Sequence, residues 1–136
     1  MLIRGAAGSG KSLLTFRLIA ATQSGLLPFA RLVGDDRIRL EPCHGRLLAR
    51  APETLAGLIE VRGLGIRQLP HEPVAVVGGV IDLAAPDAER LPNQAEVEVA
   101  GIKLPQLRIA GSHDPYPSVL AWLTTKFADE ALVAEK

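Results

Sequence analysis

The residues with the clearest chemical potential form a glycine-rich segment near the beginning of the chain, Gly5-Ala6-Ala7-Gly8-Ser9-Gly10-Lys11-Ser12. The spacing G-x-x-x-x-G-K-[ST] is typical of loops that bind nucleotide phosphates through backbone N–H groups. In such loops the lysine reaches the β- and γ-phosphates, and the hydroxyl of the last residue takes one Mg²⁺ position. The apolar segments 2–4 and 13–19 indicate a strand before the loop and a helix after it. The sequence therefore predicts a nucleotide triphosphate as ligand.

Two acidic residues, Asp35 and Asp36, directly follow residues 30–34, which have the apolar character of a short strand. Open α/β sheets bring the carboxyl ends of strands next to the phosphate loop. One aspartate could therefore hold magnesium through water while the other accepts a proton from a substrate hydroxyl. The alternative is a simple Asp-Asp turn, since Asp is common in turns. The phosphate-binding loop upstream favours the catalytic interpretation.

A second charged pair, Glu60 and Arg62, lies in the predicted strand 58–62. Side chains alternate along a strand, so both point to the same side and could supply a magnesium contact and a phosphate clamp. A surface salt bridge worth less than ~1 kcal/mol is the alternative. Gly63 and Gly65 favour a functional site, because glycine at a strand end permits close backbone approach.

Composition limits the class of protein. The chain has 136 residues, enough for one domain, and its 15 basic and 15 acidic residues cancel, which argues against nucleic-acid binding. Cys43 is the single cysteine, so an intrachain disulfide and a multi-cysteine metal site are excluded, and His44 beside it reads as part of a turn. The longest apolar run, 74–81, is too short for a membrane helix. We expect a cytoplasmic protein without membrane contact.

The remaining pattern predicts an α/β domain with hairpins. Residues 37–41 and 46–50 are expected to pair across a turn, and 74–81 has the pattern of one buried strand. A second hairpin is predicted over 96–104, with another strand at 107–109. The chain is expected to close with a helix that begins near Ser118, with Trp122 and Phe127 on its apolar side. His71 and His113 are expected to lie on the surface.

Three blocks of this sequence resemble the catalytic domain of HPr kinase/phosphorylase, which phosphorylates a serine of the carrier HPr. They are the loop 5–12, the segment 32–36, and residues 59–66 with the letters IEVRGLGI. The resemblance covers about residues 2–70. It implies a P-loop domain of the HPr kinase and phosphoenolpyruvate carboxykinase-like type, a mixed sheet flanked by helices and hairpins. It also implies the short alphaproteobacterial-type form of the enzyme.

The resemblance further implies a role for each matched residue. Asp36 is the general base, with Asp35 beside it, while Ser12 and Glu60 bind magnesium. Lys11 and Arg62 stabilise phosphoryl oxygens, and Arg90 corresponds to a later catalytic arginine. ATP and Mg²⁺ are the implied cofactors, and the implied partners are an HPr-like carrier protein and further copies of the chain in a homo-oligomer, a hexamer by family resemblance.

Some positions depart from the family. Ala7 stands where serine is common, and Leu13 where an acidic residue is frequent. The family's upstream histidine has no counterpart, so we expect residues 1–136 to be a single P-loop kinase domain truncated at its N-terminal end. The Gly-Arg-Asn segment that the family uses for dephosphorylation is not found near 105–111, which weakens the expectation of the reverse, phosphorylase reaction.

Two other functions stay open on the sequence. A P-loop small-metabolite kinase would need an arginine-rich lid and an enclosed pocket. A non-catalytic nucleotide-binding module would need only the loop. A GTPase is less favoured, because the chain has no Asn-Lys-x-Asp segment to read guanine.

Overall fold

A computed structural model describes residues 1–88 and 95–125 of the chain. The elements run in the order β1 (Leu2–Arg4), α1 (Lys11–Ala20), β2 (Arg39–Cys43), β3 (Arg46–Arg50), β4 (Leu58–Val61), β5 (Gly65–Gln68), β6 (Ala75–Val76), β7 (Val80–Asp82), β8 (Ala95–Val99), β9 (Ile102–Arg108) and α2 (Pro115–Thr124). A 3-10 turn, Glu53–Leu55, precedes β4. Neither α-helix in this part of the chain has the length and apolar character needed to cross a bilayer.

The strands form three sheets. The largest has the order β1-β7-β9-β8, in which β1, β7 and β9 are parallel and β8 is antiparallel to β9. The second has the order β2-β3-β6, and β4 pairs with β5 in a separate hairpin. Because β1, β7 and β9 are parallel, their carboxyl ends meet at one sheet edge. The phosphate loop leaves β1 at this edge.

Two apolar clusters cover the two faces of the largest sheet. Because side chains alternate along a strand, Ile3 and Ile81 pack on the side of the helices, in a cluster that includes Leu14, Leu18 and Val119. Leu2 and Val80 pack on the opposite face, in a cluster that also contains residues of β2 and β3. Both clusters support β1, the strand that carries the phosphate loop.

The predicted strand 30–34 is wrong. Only Leu32 forms a bridge, a parallel one with His71, and Glu72 N–H donates to the Leu32 carbonyl oxygen at 2.8 Å. Leu32 is 2% exposed, and a Cβ on Gly34 would lie 2.6 Å from Ile38 Cδ1. Leu32 is the buried residue of the segment, Arg31 is exposed, and the other three residues are half-buried. An apolar pattern alone does not distinguish a strand from an extended segment of this kind.

The single strand predicted over 74–81 is also wrong, because the chain changes sheets within it. β6 pairs with β3, whereas β7 lies between β1 and β9. The connection contains Gly79, where an added Cβ would lie 2.9 Å from Trp122 Cη2. Glycine is needed there for close packing of the Trp122 ring against the backbone. The prediction that Trp122 lies on the apolar side of the final helix is confirmed, because its half-buried side chain packs against the core cluster.

Both predicted hairpins are present. His44 and Gly45 have φ values of 51° and 77°, and Ala100 and Gly101 of 49° and 80°, so each two-residue loop has the positive φ values of a type I′ turn. The strand expected after the second hairpin is instead the continuation of β9 through Pro105.

The final helix begins at Pro115 rather than near Ser118. The Asp114 side chain caps it and accepts a hydrogen bond from Tyr116 N–H at 3.1 Å. The rest of the helix predicted around Phe127 lies outside the described residues, as does Arg90. Sequence reasoning missed β5, whose four residues are all exposed and so carry no pattern of burial.

Gly57 combines a left-handed backbone with close neighbours. Its φ is +75°, and an added Cβ would lie 2.6 Å from Nδ1 of His71 and 2.9 Å from the Leu69 carbonyl oxygen. His71 is accordingly half-buried, contrary to the surface position expected, whereas His113 is exposed as predicted. Gly25 has a similar φ of +76° but open space around it.

We expect Gly25→Ala to cost about 1–2 kcal/mol of stability from the left-handed backbone alone. Gly57→Ala should cost at least about 1 kcal/mol more, because the methyl group also collides with its neighbours. Urea unfolding of the two variants measures the difference. Equal losses would show that the packing between Gly57 and His71 is not tight.

Candidate phosphate-binding and transfer site

The loop between β1 and α1 has the geometry that its glycines predict. Gly8 and Gly10 have φ values of 82° and 94°, which strongly favour glycine, and an added Cβ on Gly5 would lie 2.5 Å from Ser9 Oγ. Lys11 Nζ donates to the carbonyl oxygens of Gly5 at 2.8 Å and Ala6 at 3.2 Å. The ammonium group is thereby held over the loop, where a phosphate-binding lysine is required.

The start of α1 is suited to an anion. Gly10 occupies the N-cap position, no side chain of the described residues caps the helix, and its first turn contains no acidic residue. The first backbone N–H groups of a helix have no partner within it, and the helix dipole places partial positive charge there. These groups can therefore bind phosphate oxygens.

Asp35 connects this loop with the third of the sequence blocks. Its Oδ1 accepts a hydrogen bond from Ser12 Oγ at 2.7 Å, and its Oδ2 accepts one from Glu60 N–H at 3.1 Å. Ser12, Asp35 and Glu60 come from α1, the segment before β2, and β4. One carboxylate thus joins three parts of the chain that are far apart in sequence.

Asp36 lies in a tight turn. Arg37 N–H donates to the Asp35 carbonyl oxygen at 2.7 Å, and Asp36 between them has a φ of 60°. Non-glycine residues rarely adopt this conformation, which costs on the order of 1–3 kcal/mol, although Asp tolerates it better than most. The turn leaves the Asp36 side chain exposed while Asp35 is half-buried. A protein or small-molecule acceptor can therefore reach Asp36.

The other two predicted site residues in the described part of the chain, Glu60 and Arg62, have exposed side chains. Glu60 approaches Asp35 through its backbone, and its side chain is exposed. Arg62 is exposed just beyond β4. Within residues 1–88 and 95–125, neither side chain forms an ion pair, so the surface salt bridge considered for this pair is not formed there.

Sequence reasoning missed an ion pair at the same sheet edge. Arg4 Nε donates to Asp82 Oδ1 at 2.8 Å, and Arg4 Nη2 donates to Oδ2 at 3.0 Å. Burial acts to raise the pKa of Asp82, but hydrogen bonds from Arg4 and Gln106 and the charges of Arg4 and Arg108 lower that pKa overall. A signal was available, since Asp82 ends an apolar run much as Asp35 does.

Four of the charged residues near the phosphate loop border a common space. A cavity of about 640 Å³ includes Arg4, Lys11, Asp35 and Asp36 in its wall, together with apolar residues of both core clusters. Most of its wall is apolar, and among the described residues the wall does not include Ser12, Glu60 or the loop residues 5–10. The cavity therefore lies beside the phosphate loop, with the predicted base and the loop lysine on its border.

The side-chain oxygens of Ser12 and Asp35 are a donor set that suits Mg²⁺. Mg²⁺ is usually held by one or two protein oxygens together with water and substrate phosphates. The Ser12 hydroxyl and the Asp35 carboxylate supply such oxygens 2.7 Å apart. Among the described residues, no group of three or more His, Cys, Asp or Glu could hold a metal. The site therefore suits a magnesium ion shared with a triphosphate rather than an ion enclosed by protein ligands.

Comparison with known proteins supports the resemblance seen in the sequence. The chain is 37% identical over 70 residues to the HPr kinase/phosphorylase of Clostridium tetani, a match that covers 52% of this chain and 21% of that protein. It is 31% identical over 125 residues to the HPr kinase/phosphorylase of Geobacillus thermodenitrificans, covering 80% of this chain and 37% of the relative. The matches therefore span less than two fifths of either relative. No protein-family model matches the chain.

A solved structure has the same fold. The Hpr(Ser) kinase/phosphatase from Coxiella burnetii superposes with a TM-score of 0.72, covering 98% of this chain and 89% of that one, at 24% sequence identity. The predicted α/β fold of the HPr kinase type, with a mixed sheet, helices and hairpins, is confirmed.

The hydrogen bonds of Asp35 lead to a prediction about magnesium. Asp35→Asn removes the negative charge beside Ser12 and leaves one acceptor oxygen where there were two. Replacing such a partner of a metal ligand typically costs 10–100-fold in metal affinity. We therefore expect the gain in ATP affinity that Mg²⁺ provides to fall by about tenfold or more, as measured by calorimetry with and without Mg²⁺.

Glu98→Gln is the matched control, because Glu98 is an exposed carboxylate on β8, at the opposite end of the strand order from β1. It should leave the magnesium effect unchanged. An Asp35→Asn protein with the magnesium dependence of the unmodified chain would remove Asp35 from the metal site.

Proposed function

We propose that this chain carries the nucleotide site of an ATP-dependent serine kinase of the HPr kinase/phosphorylase type. The observation on which the proposal rests is the Asp35 carboxylate, which joins Ser12 of the phosphate loop to the backbone of Glu60. These residues belong to the three blocks that carry the family resemblance. The similarity to HPr kinase/phosphorylases of two genera and the shared fold support the same conclusion.

In the proposed reaction the loop N–H groups, the start of α1 and Lys11 hold the triphosphate. A serine hydroxyl oxygen attacks the γ-phosphorus, the bond from that phosphorus to the bridging oxygen breaks, and ADP leaves. Asp36 accepts the serine proton, which is general-base catalysis. Magnesium, when bound, offsets negative charge on the phosphate oxygens. Ser12, with Asp35 hydrogen-bonded to it, and Glu60 are the proposed magnesium residues, and Arg62 and Arg90 are proposed to stabilise the transferred group.

The wider setting is proposed from the family resemblance. The acceptor is a serine of an HPr-like carrier protein, the enzyme is a cytoplasmic homo-oligomer, and its form is the short alphaproteobacterial type. The exposed position of Asp36 is compatible with an acceptor as large as a protein.

Lys11→Ala tests the nucleotide site. The change removes the ammonium held over the loop, so MgATP affinity should fall at least tenfold while the urea midpoint stays near that of the unmodified chain. Lys103→Ala is the control, because Lys103 is an exposed lysine on β9. Calorimetry with MgATP gives both affinities. If the two variants bind MgATP equally well, the phosphate-loop assignment is wrong.

Asp36→Asn tests the transfer step. Asn also tolerates the left-handed backbone of this turn, so the variant should fold and bind MgATP normally. Loss of a general base typically costs ~10²–10⁴-fold in rate, and transfer of ³²P from ATP to a purified HPr-like carrier should slow by that factor. Undiminished transfer would exclude Asp36 as the base.

The same assay separates the two other functions. Nucleotide binding by the unmodified chain without transfer to any acceptor would favour a non-catalytic module. Transfer to a small metabolite but not to the carrier would favour a metabolite kinase.

A further inference from the structure

The ion pair between Arg4 and Asp82 occupies a special position at the sheet edge. Arg4 is the last residue of β1 and directly precedes Gly5, the first residue of the phosphate loop. Asp82 is its register partner at the end of β7. Gln106, on β9, donates a further hydrogen bond to Asp82 Oδ2 from its Nε2. The network therefore lies where the loop begins.

Apart from the hydrogen bonds that Lys11 Nζ donates to the Gly5 and Ala6 carbonyl oxygens, the start of the loop is restrained through β1. β1 contains three residues and is at the end of the strand order, so β7 is its only partner in the described sheet. The Arg4 carbonyl oxygen accepts a hydrogen bond from Leu83 N–H at 2.9 Å, which ties the backbone to the segment after β7. The two hydrogen bonds from the Arg4 guanidinium to the Asp82 carboxylate add a second restraint at the same residue.

The geometry of the pair matters more than its energy. The side chains of Arg4 and Asp82 are 39% and 20% exposed, and ion pairs as exposed as this typically contribute little to stability. A bidentate guanidinium–carboxylate contact, however, fixes both the distance and the plane of the two groups. This ion pair can therefore orient the first residues of the loop while contributing little to the free energy of unfolding.

We propose that Arg4 and Asp82, supported by Gln106, are positioning residues that hold the phosphate loop in its binding conformation. The inference rests on the proposed function, because it supposes that this loop binds MgATP. Neither residue needs to touch the nucleotide. The pair acts through Gly5 and the following N–H groups, whose direction determines how well they meet the phosphates. Misplacement by about 1 Å near a reacting group can cost 10²-fold in rate.

Arg4→Lys is the variant that isolates this role, because it keeps the charge and loses the bidentate fork. Arg50→Lys is the matched control, since Arg50 forms a similarly exposed ion pair with Glu41 on the β2–β3 hairpin. Three measurements are made on each full chain: the urea midpoint, hydrogen exchange of the amides in residues 5–10, and the affinity for MgATP.

For Arg4→Lys we expect faster exchange in residues 5–10 and MgATP affinity lowered about tenfold, with a urea midpoint close to that of the unmodified chain. For Arg50→Lys we expect no change in exchange or affinity. Adding Asp82→Asn to Arg4→Lys should cause little further acceleration of loop exchange, because residues that act as a unit give non-additive effects.

The inference would be overturned if Arg4→Lys left loop exchange and MgATP affinity unchanged while the unmodified chain bound MgATP. It would also be overturned if Arg4→Lys lowered the urea midpoint as well, so that the weaker MgATP binding reflected a less stable chain. An unmodified chain that binds no MgATP would instead overturn the proposed function, and this inference with it.

Discussion

The arrangement of the site depends on the Asp35 carboxylate, which accepts hydrogen bonds from both Ser12 Oγ and Glu60 N–H. Its two oxygens face two different elements, so the side chain sets the spacing between the start of α1 and β4. Hydrogen bonds to a charged acceptor are stronger than those between neutral groups. This matters because the segment that carries Asp35 has no sheet ladder to hold it. A single bridge at Leu32 and the side chain of Asp35 take the place of a strand.

The irregular backbone at Asp36 separates the surroundings of the two neighbouring aspartates. The turn closed by Arg37 N–H places the two aspartates in different surroundings, one half-buried beside Ser12 and the other exposed. Successive residues of a strand would also point to opposite sides, but a strand would not bend the chain away immediately after Asp35. The left-handed φ of Asp36 makes that bend, and strain of this kind is typical of functional sites. The two carboxylates can therefore have separate roles.

The phosphate loop was predictable because its requirements are local. Positive φ at Gly8 and Gly10 and the apolar helix after Lys11 are encoded within a few residues. The two hairpins were predictable for the same reason, since two-residue turns and alternating strands leave short-range patterns. The strand predicted over 30–34 was wrong because burial of Leu32 gives the same apolar signal in a strand and in an extended segment. The single strand predicted over 74–81 was wrong because both halves of this run are apolar although they belong to different sheets.

The contacts of the site were beyond local reasoning. Ser12 and Asp35 are 23 residues apart, and Arg4 and Asp82 are 78 apart. Sheet topology suggested that Asp35 lies near the phosphate loop, although the strand assumed in that argument is not formed. The family resemblance assigned Ser12 to magnesium together with Glu60, whereas the side chain that contacts Ser12 in the structure is that of Asp35. The role of Glu60 stays a prediction.

Stability and site geometry have different physical sources in this chain. The two apolar clusters bury residues such as Leu14, Val80 and Val119 almost completely, and each buried aliphatic side chain contributes about 1.5–3 kcal/mol. The residues around the phosphate loop are half-exposed and are joined by hydrogen bonds and ion pairs that contribute far less energy. Because the clusters pack against both faces of β1, the strand stays in place when a polar contact at its end is lost. The direction of the loop, which depends on those polar contacts, can therefore change without unfolding the domain.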